Sequence, residues 1–253
     1  MPDAHALQIF PDQAALSAHA ADLFVQAARG AVAARGRFTV ALTGGSSPHQ
    51  TYELLAQAPR SAQIEWANVF VFLGDERFVP TDDERSNYGM CKHLLLDHVP
   101  VPAAQILPIP TGMATLRETV AEYAQTLSRV FALPIGGPPP ALDLILLGMG
   151  DDGHCASLFP GMPTLHIADH WVVSSPPGTL PPPVDRITCT FPLLNAARQV
   201  LFLVSGAKKA APVRDIFEGG AGLDQHPAAG VQPTSGVLTW LLDEAAASLL
   251  TNK

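Results

Sequence analysis

The stretch LGMGDDGHCASLFPG (residues 147–161) places glycines, two aspartates and one histidine directly after an apolar run, ALDLILL. An imidazole titrates near neutrality, so at such a turn it can take a proton from water and return it later. A histidine that serves only the core would sit inside a helix or strand rather than on a glycine hinge. His154 is therefore the candidate general base. Asp152 reads as holding the turn and, with Gly153, as part of the substrate-facing surface; Asp151 reads as solvated. Cys155 adjoins His154, and adjacent side chains diverge, which argues against a Cys–His dyad. His166 and His170 are four apart but lack the glutamate of an HExxH helix, so they read as surface residues and no metal site is expected.

Five further segments carry groups that could serve the same chemistry. TGGSSP (residues 43–48) offers glycine backbone, two hydroxyls and the open N–H groups of a following helix. Thr43, Gly44, Gly45, Ser46 and Ser47 thus form a candidate phosphate cradle, against the plainer reading of a turn with Ser47 as helix cap. The GKS/T ending of a P-loop and the GxGxxG of a dinucleotide turn are both missing. GDERFVP (residues 74–80) brings Asp75 and Arg77 to a second strand end, where they face the crevice or form a solvated charged turn. In SNYG, Asn87 is a possible hydroxyl contact. DRITCTFP and SGAKKA add Arg186 and Lys208, both able to reach a phosphate whose other oxygens meet the TGGSS turn. His5, His19, His49, His93, His98 and His226 carry no usable signal.

These segments need elements to bring them together, and the sequence predicts them. Strands are expected at FTVAL, VFVFL, DLILL, WVVSS, ITCTF and VLFLV. Helices are expected from about Asp12 to near Gly36, from Pro48 through PHQTYELLAQ, and across NYGMCKHLLLDH and TLRETVAEYAQTLSRVF. AKKAAPVRDIF and SGVLTWLLDEAAASLL read as late helices. Continuous apolar strands alternating with helices predict an α/β fold with a mostly parallel sheet flanked by helices. Ligands of such sheets bind beyond the carboxyl ends of the strands, and four of the segments above follow strands directly.

Composition bounds the function. The chain has 253 residues, 47% of them hydrophobic, and no long polar linker, so one domain over residues 1–253 is expected. GGPPPA and PPGTLPPPVD (residues 176–185) read as stiff loops within it. A formal net charge of −8 argues against a nucleic-acid partner and leaves an anionic ligand to local donors. Three cysteines without a CxxC pair suggest neither a disulfide framework nor a zinc cage. MPDAHALQIF lacks the pattern of a signal peptide, and no apolar run spans a bilayer, so a cytoplasmic, non-membrane protein is expected. The oligomeric state is not readable, and a monomer is the default.

TGGSSP, FLGDERFVP…SNYG, LGMGDDGHCASLFPG, RITCTFP and FLVSGAKKA, in this order, resemble the 6-phosphogluconolactonase family. The matching segments run from about Thr43 to Lys209, and WLLDEAA resembles the family's closing helix. The resemblance implies a Rossmann-like domain of the glucosamine-6-phosphate deaminase and ribose-5-phosphate isomerase superfamily. It implies hydrolysis of a sugar-phosphate lactone without cofactor, with His154 as base. Asp75 and Arg77 match the family's active-site pair, Asp75 orienting Arg77 or His154. Arg186 and Lys208 match its phosphate-binding basic residues, beside the TGGSS loop. A related deaminase pattern, DGHIAFNEPG, has a glutamate where this chain has Phe159, which favours the lactonase over a sugar-phosphate isomerase or deaminase. A non-catalytic sugar-phosphate sensor is disfavoured by the lack of a DNA-binding module.

Overall fold

Six runs of large apolar and β-branched residues pair side by side, all parallel. In a computed structural model that describes residues 5–178 and 183–251, they are β1 (His5–Phe10), β2 (Phe38–Leu42), β3 (Val69–Leu73), β5 (Leu144–Leu147), β8 (Gln199–Val204) and β9 (Val237–Asp243). The order across the sheet is β1-β9-β8-β5-β2-β3. Every residue of β2 and β5 is buried, as expected for strands covered on both faces. From β2 the chain steps outward to β3, then returns to lay β5 on the other side of β2 and continues away through β8 and β9. The carboxyl ends of β2 and β5 flank this reversal, where an open α/β sheet has its crevice.

A second, antiparallel sheet has the order β4-β7-β6, from β4 (Asp75–Arg77), β7 (Arg186–Cys189) and β6 (Val172–Ser175). Gly74 hinges it to the first: its N–H donates to Leu42 (3.0 Å), and its carbonyl accepts from Cys189 N–H (2.9 Å). The helices are α1 (Gln13–Arg35), α2 (His49–Leu55), α3 (Asn87–Leu94), α4 (Leu116–Phe131), α5 (Phe191–Asn195) and α6 (Ala210–Phe217). Asp12 caps α1 by accepting from Ala15 N–H, and Gly36 ends it in the left-handed region at φ 71°. Thr115 and Glu118 close α4 with a reciprocal capping box.

The strands predicted at 38–42 and 69–73 match, and those at 143–147 and 200–204 differ by one residue. SGVLTWLLDEAAASLL is different. Its first half is β9, between β8 and β1, and residues 244–249 are turns. An apolar run of this length fits either period, and pairing on both edges decides for the strand. Trp240 completes the case: its ring stacks on Phe202 at 3.8 Å and meets Phe217 edge-on at 5.3 Å. The WLLDEAA segment is thus no closing helix. WVVSS is a strand as expected, and ITCTF is one as far as Cys189, with Phe191 opening α5; both strands belong to the second sheet. Among the described residues, no helix is long and apolar enough to cross a membrane. Residues 1–4 of the N-terminal reading and 179–182 of the proline-rich loop lie outside the described residues.

Because Trp240 locks β9 against β8, Trp240→Ala should cost about 3–5 kcal/mol in urea unfolding. A loss below about 1 kcal/mol, the scale of an ordinary surface change, would mean that the stack does not secure the strand.

Candidate active site

Where a strand ends, its last N–H and C=O lose their ladder partners and need others. Tyr52 of α2 supplies them for Thr43: its hydroxyl accepts from Thr43 N–H (3.0 Å) and donates to Thr43 C=O (2.9 Å). Tyr123 of α4 does the same for Leu73, at 3.0 and 2.8 Å. Burial pushes both phenols well above their usual range, so they stay neutral and can donate. The turns after β2 and β3 therefore start from fixed points. They border a cleft of about 340 Å³, shared with the turns after β5 and β8 and with the second sheet.

Thr43, Gly44, Gly45, Ser46 and Ser47 all line this cleft. Pro48 occupies the cap position of α2 without a side-chain cap bond, so Ser47 is not a cap. Its hydroxyl instead lies 3.3 Å from that of Ser205 after β8.

His154 lines the cleft with its side chain 19% exposed. Nδ1 is 2.6 Å from Asp152 Oδ1, which also accepts from His154 N–H at 3.1 Å. A carboxylate on Nδ1 fixes the proton there and leaves Nε2 as the basic nitrogen. Partial burial pushes the Asp152 carboxyl up, but the hydrogen bond and charge of His154 outweigh it and hold it below the usual carboxylate range. Glycine is required at position 150: a Cβ there would stand 2.1 Å from His154 Nδ1 and 2.7 Å from Asp152 Oδ1.

Period-two alternation along β4 sends Asp75 and Arg77 toward the cleft and Glu76 away. Arg77 pairs with Arg186 across the antiparallel ladder and Asp75 with Thr188, so these four side chains share one face. Asp75 is 5% exposed. It accepts from Ser157 Oγ at 2.6 Å and from Asn87 Nδ2 at 3.3 Å. Arg186 is 4% exposed and lies over the Phe159 ring at 5.4 Å; burial pushes its guanidinium down, and Asp75 partly offsets this. Arg77 donates to the Arg85 carbonyl at 2.6 Å. Glu76 grips α3 instead, accepting from the N–H groups of Asn87 and Tyr88 (2.7 Å each), and so sets Asn87 beside Asp75. Burial pushes the Glu76 carboxyl above its usual range, against the N–H groups that favour its anion.

Three sequence expectations change. Lys208 is exposed and outside the cleft, whereas Lys209 lines it and pairs at 2.5 Å with Asp151, which stays exposed as expected. The 3₁₀ turn over Ala207–Lys209 decides which lysine points inward; adjacent positions on such a turn diverge, which residue type alone does not reveal. Asp75 does not orient His154, because Ser157 and Asn87 hold its carboxylate; Asp152 does. Asp152 and Gly153 do not line the cleft; Asp152 meets the imidazole at Nδ1. Sequence reasoning also missed Ser157 and His226. Ser157 lies three residues after His154 in the same motif, which is a local signal; His226 had none. Cys91, Cys155 and Cys189 are buried free thiols pushed above their usual range. Among the described residues, no three metal-ligating side chains converge.

Residues 11–240 match the family model described as glucosamine-6-phosphate isomerases/6-phosphogluconolactonase. A 6-phosphogluconolactonase from Synechocystis sp. is 43% identical over 216 residues, 85% of this chain and 86% of its own length. The one from Homo sapiens is 39% identical, covering 97% of this chain and 93% of its own. Among solved structures, a 6-phosphogluconolactonase from Trypanosoma cruzi superposes with a TM-score of 0.87 at 26% identity, over 99% of this chain and 98% of that one. A monomeric glucosamine-6-phosphate deaminase, 20% identical, reaches 0.81 over 96% of this chain and 99% of its own, a likeness of fold.

Since Asp152 is held below its ordinary range when folded, its contribution to stability is present above that range and lost as pH falls through the depressed value. Asp152→Asn should destabilise the protein by about 1–3 kcal/mol at pH 7. In urea titrations the gap to wild type should close as the pH drops below about 4. A gap that stays constant down this series would show that the carboxylate is not ionised against His154.

Proposed function

The chain belongs to the glucosamine-6-phosphate isomerase/6-phosphogluconolactonase family, and we propose that it hydrolyses 6-phospho-D-glucono-1,5-lactone to 6-phospho-D-gluconate, the lactonase step of the oxidative pentose phosphate pathway. One observation carries this reading: an imidazole tied at Nδ1 to a carboxylate faces a cleft that also gathers Arg77, Arg186 and Lys209. The substrate's phosphate meets the TGGSS turn with Arg186 and Lys209, which places the lactone carbonyl near His154. Nε2 takes a proton from water as the oxygen attacks C1, and Asp152 stabilises the imidazolium that forms. Arg77 is placed to face the developing oxyanion or the substrate hydroxyls. As the tetrahedral intermediate collapses, the C1–ring oxygen bond breaks and the departing oxygen takes the proton back from Nε2. No redox step and no second substrate other than water are needed.

Phe159 supports hydrolysis over deamination. Its ring centroid lies 4.8 Å from that of His154, and it occupies the place where a deaminase-like sequence carries its glutamate. A deaminase must open a sugar ring and move protons between two carbons, which calls for a carboxylate partner there; a lactonase needs one activated water and one protonated leaving oxygen. The groups used run from Thr43 to Lys209, and we read residues 1–253 as one lactonase domain.

The deciding experiment follows acid release from freshly generated 6-phosphogluconolactone above its spontaneous background, alongside ammonia release from glucosamine 6-phosphate. Acid release alone is expected; ammonia without acid would overturn the reading. His154→Gln should lower kcat by about 10²–10⁴-fold, or roughly 3–5 kcal/mol of barrier. Full turnover in that variant would remove His154 as the base.

Lys209→Ala should raise KM with little change in kcat, the pattern of lost uniform binding. Lys208→Ala should leave both unchanged. If Lys208 rather than Lys209 controlled KM, the inward lysine would be misassigned.

A further inference from the structure

Building on the lactonase reading, we propose that His226 is a positioning residue for His154, acting through the backbone of Asp152. The two meet across a wide gap in sequence, His226 lying 74 residues after Asp152. Its side chain is 12% exposed and packs beneath the turn that carries the candidate base. Nδ1 is 3.0 Å from the Asp152 carbonyl oxygen, and Nε2 is 3.3 Å from Asp215 Oδ2 on α6. A carbonyl accepts only, so this bond needs the proton on Nδ1. His226 does not line the cleft, and its contacts with the site run through protein groups.

The turn is shaped to receive this ring. Gly153 has φ +81°, in the region that favours glycine, and a Cβ there would stand 2.4 Å from His226 Nδ1. The next carbonyl is fixed from the same side, since Ala228 N–H donates to Gly153 C=O at 2.9 Å. The supporting segment is itself tied down: His226 N–H donates to Gly222 C=O (3.0 Å), and Gly161 N–H donates to Asp224 C=O (3.0 Å). Asp152 is therefore held at two points, its carbonyl by His226 and its carboxylate by His154. The turn braces itself through Gly150 N–H to His154 C=O (2.8 Å) and Gly153 N–H to Gly150 C=O (3.0 Å), but neither bond holds the Asp152 carbonyl. The carbonyl anchor is what keeps the carboxylate aimed at the imidazole.

The prediction uses geometry that side-chain length can dissect. Asparagine carries its amide nitrogen at the position of histidine Nδ1, and glutamine carries its own at that of Nε2. His226→Asn preserves the bond to Asp152, His226→Gln preserves only the contact with Asp215, and His226→Ala preserves neither. Lactonase kcat should fall by about 10- to 100-fold in the Ala and Gln variants, the cost of a small misplacement of a reacting group. KM should hold steady, and the Asn variant should recover most of kcat. In ¹⁵N-histidine-labelled protein, the His154 Nδ1 proton shared with Asp152 should give a far-downfield, slowly exchanging signal. That signal should persist in wild type and His226→Asn and vanish in the Ala and Gln variants.

Full kcat and an intact signal in His226→Ala would overturn the inference, as would an Asn variant as impaired as Ala. If the wild type releases no acid from the lactone, the lactonase reading fails by itself, and the proton signal still decides the role of His226.

Discussion

A parallel sheet stops abruptly at its carboxyl edge, and the backbone groups stranded there must find partners that no further strand supplies. This constraint organises the whole rim of the protein. Tyr52 closes the end of β2 and Tyr123 the end of β3, each with one hydroxyl that donates and accepts at once. At the end of β8, Asp243 accepts from Gly206 N–H with both oxygens, which fixes the turn carrying Lys209. After β5 the turn closes on itself: Gly150 N–H donates to His154 C=O at 2.8 Å. The groups that finish the sheet are thus the groups that place the site. Losing one leaves a buried polar group unmet, at about 1–3 kcal/mol.

The second sheet adds what the first cannot. A parallel edge offers turns and helix starts, but no rigid wall of side chains facing them. Hinged at Gly74, the short antiparallel ladder presents Asp75, Arg77, Arg186 and Thr188 on one face, opposite the DGH turn. Residues 155–158 join the two halves. Ala156 takes the left-handed region at φ 48°, Ser157 N–H reaches Thr188 Oγ1 (3.1 Å), and Ser157 Oγ reaches Asp75 (2.6 Å). A non-glycine residue there carries roughly 1–2 kcal/mol of backbone strain. The buried bonds of Ser157 hold it in place.

What the sequence disclosed and what it withheld divide along the range of the forces involved. FTVAL and VFVFL announce themselves because every position is apolar or β-branched, and the helix over Gln13–Arg35 because Asp12 and Gly36 bracket it. The chemistry-bearing turns were legible because each follows its strand directly. VLTWLLD was not, since its strand character comes from two neighbours distant in sequence. The choice between Lys208 and Lys209 depends on the phase of one short turn. Asp152 was placed correctly in the turn, but its bond to the imidazole needed the fold of Gly150 to appear. The contact between His226 and Asp152 is wholly tertiary, so no local pattern could carry it.

On the lactonase reading, these pieces would serve an anionic ligand in a chain of net charge −8. The cleft's three cations are not equally committed. Arg186 is 4% exposed and sits on β7 against the Phe159 ring, and Asp75 is held by Ser157 and Asn87, so both are fixed parts of the wall. Lys209 and Asp151 form a partly exposed pair, 19% and 38% by side chain. Such pairs contribute about 0–1 kcal/mol, so Lys209 can turn from Asp151 to a phosphate at small cost. Arg77 has spent one N–H on the Arg85 carbonyl, and its position on β4 keeps it on the cleft face. The charge of Lys209 is thus held against a carboxylate of the same cleft. On the lactonase reading, a phosphate would compete with Asp151 for Lys209, while the guanidinium on β7 would stay where the fold has set it.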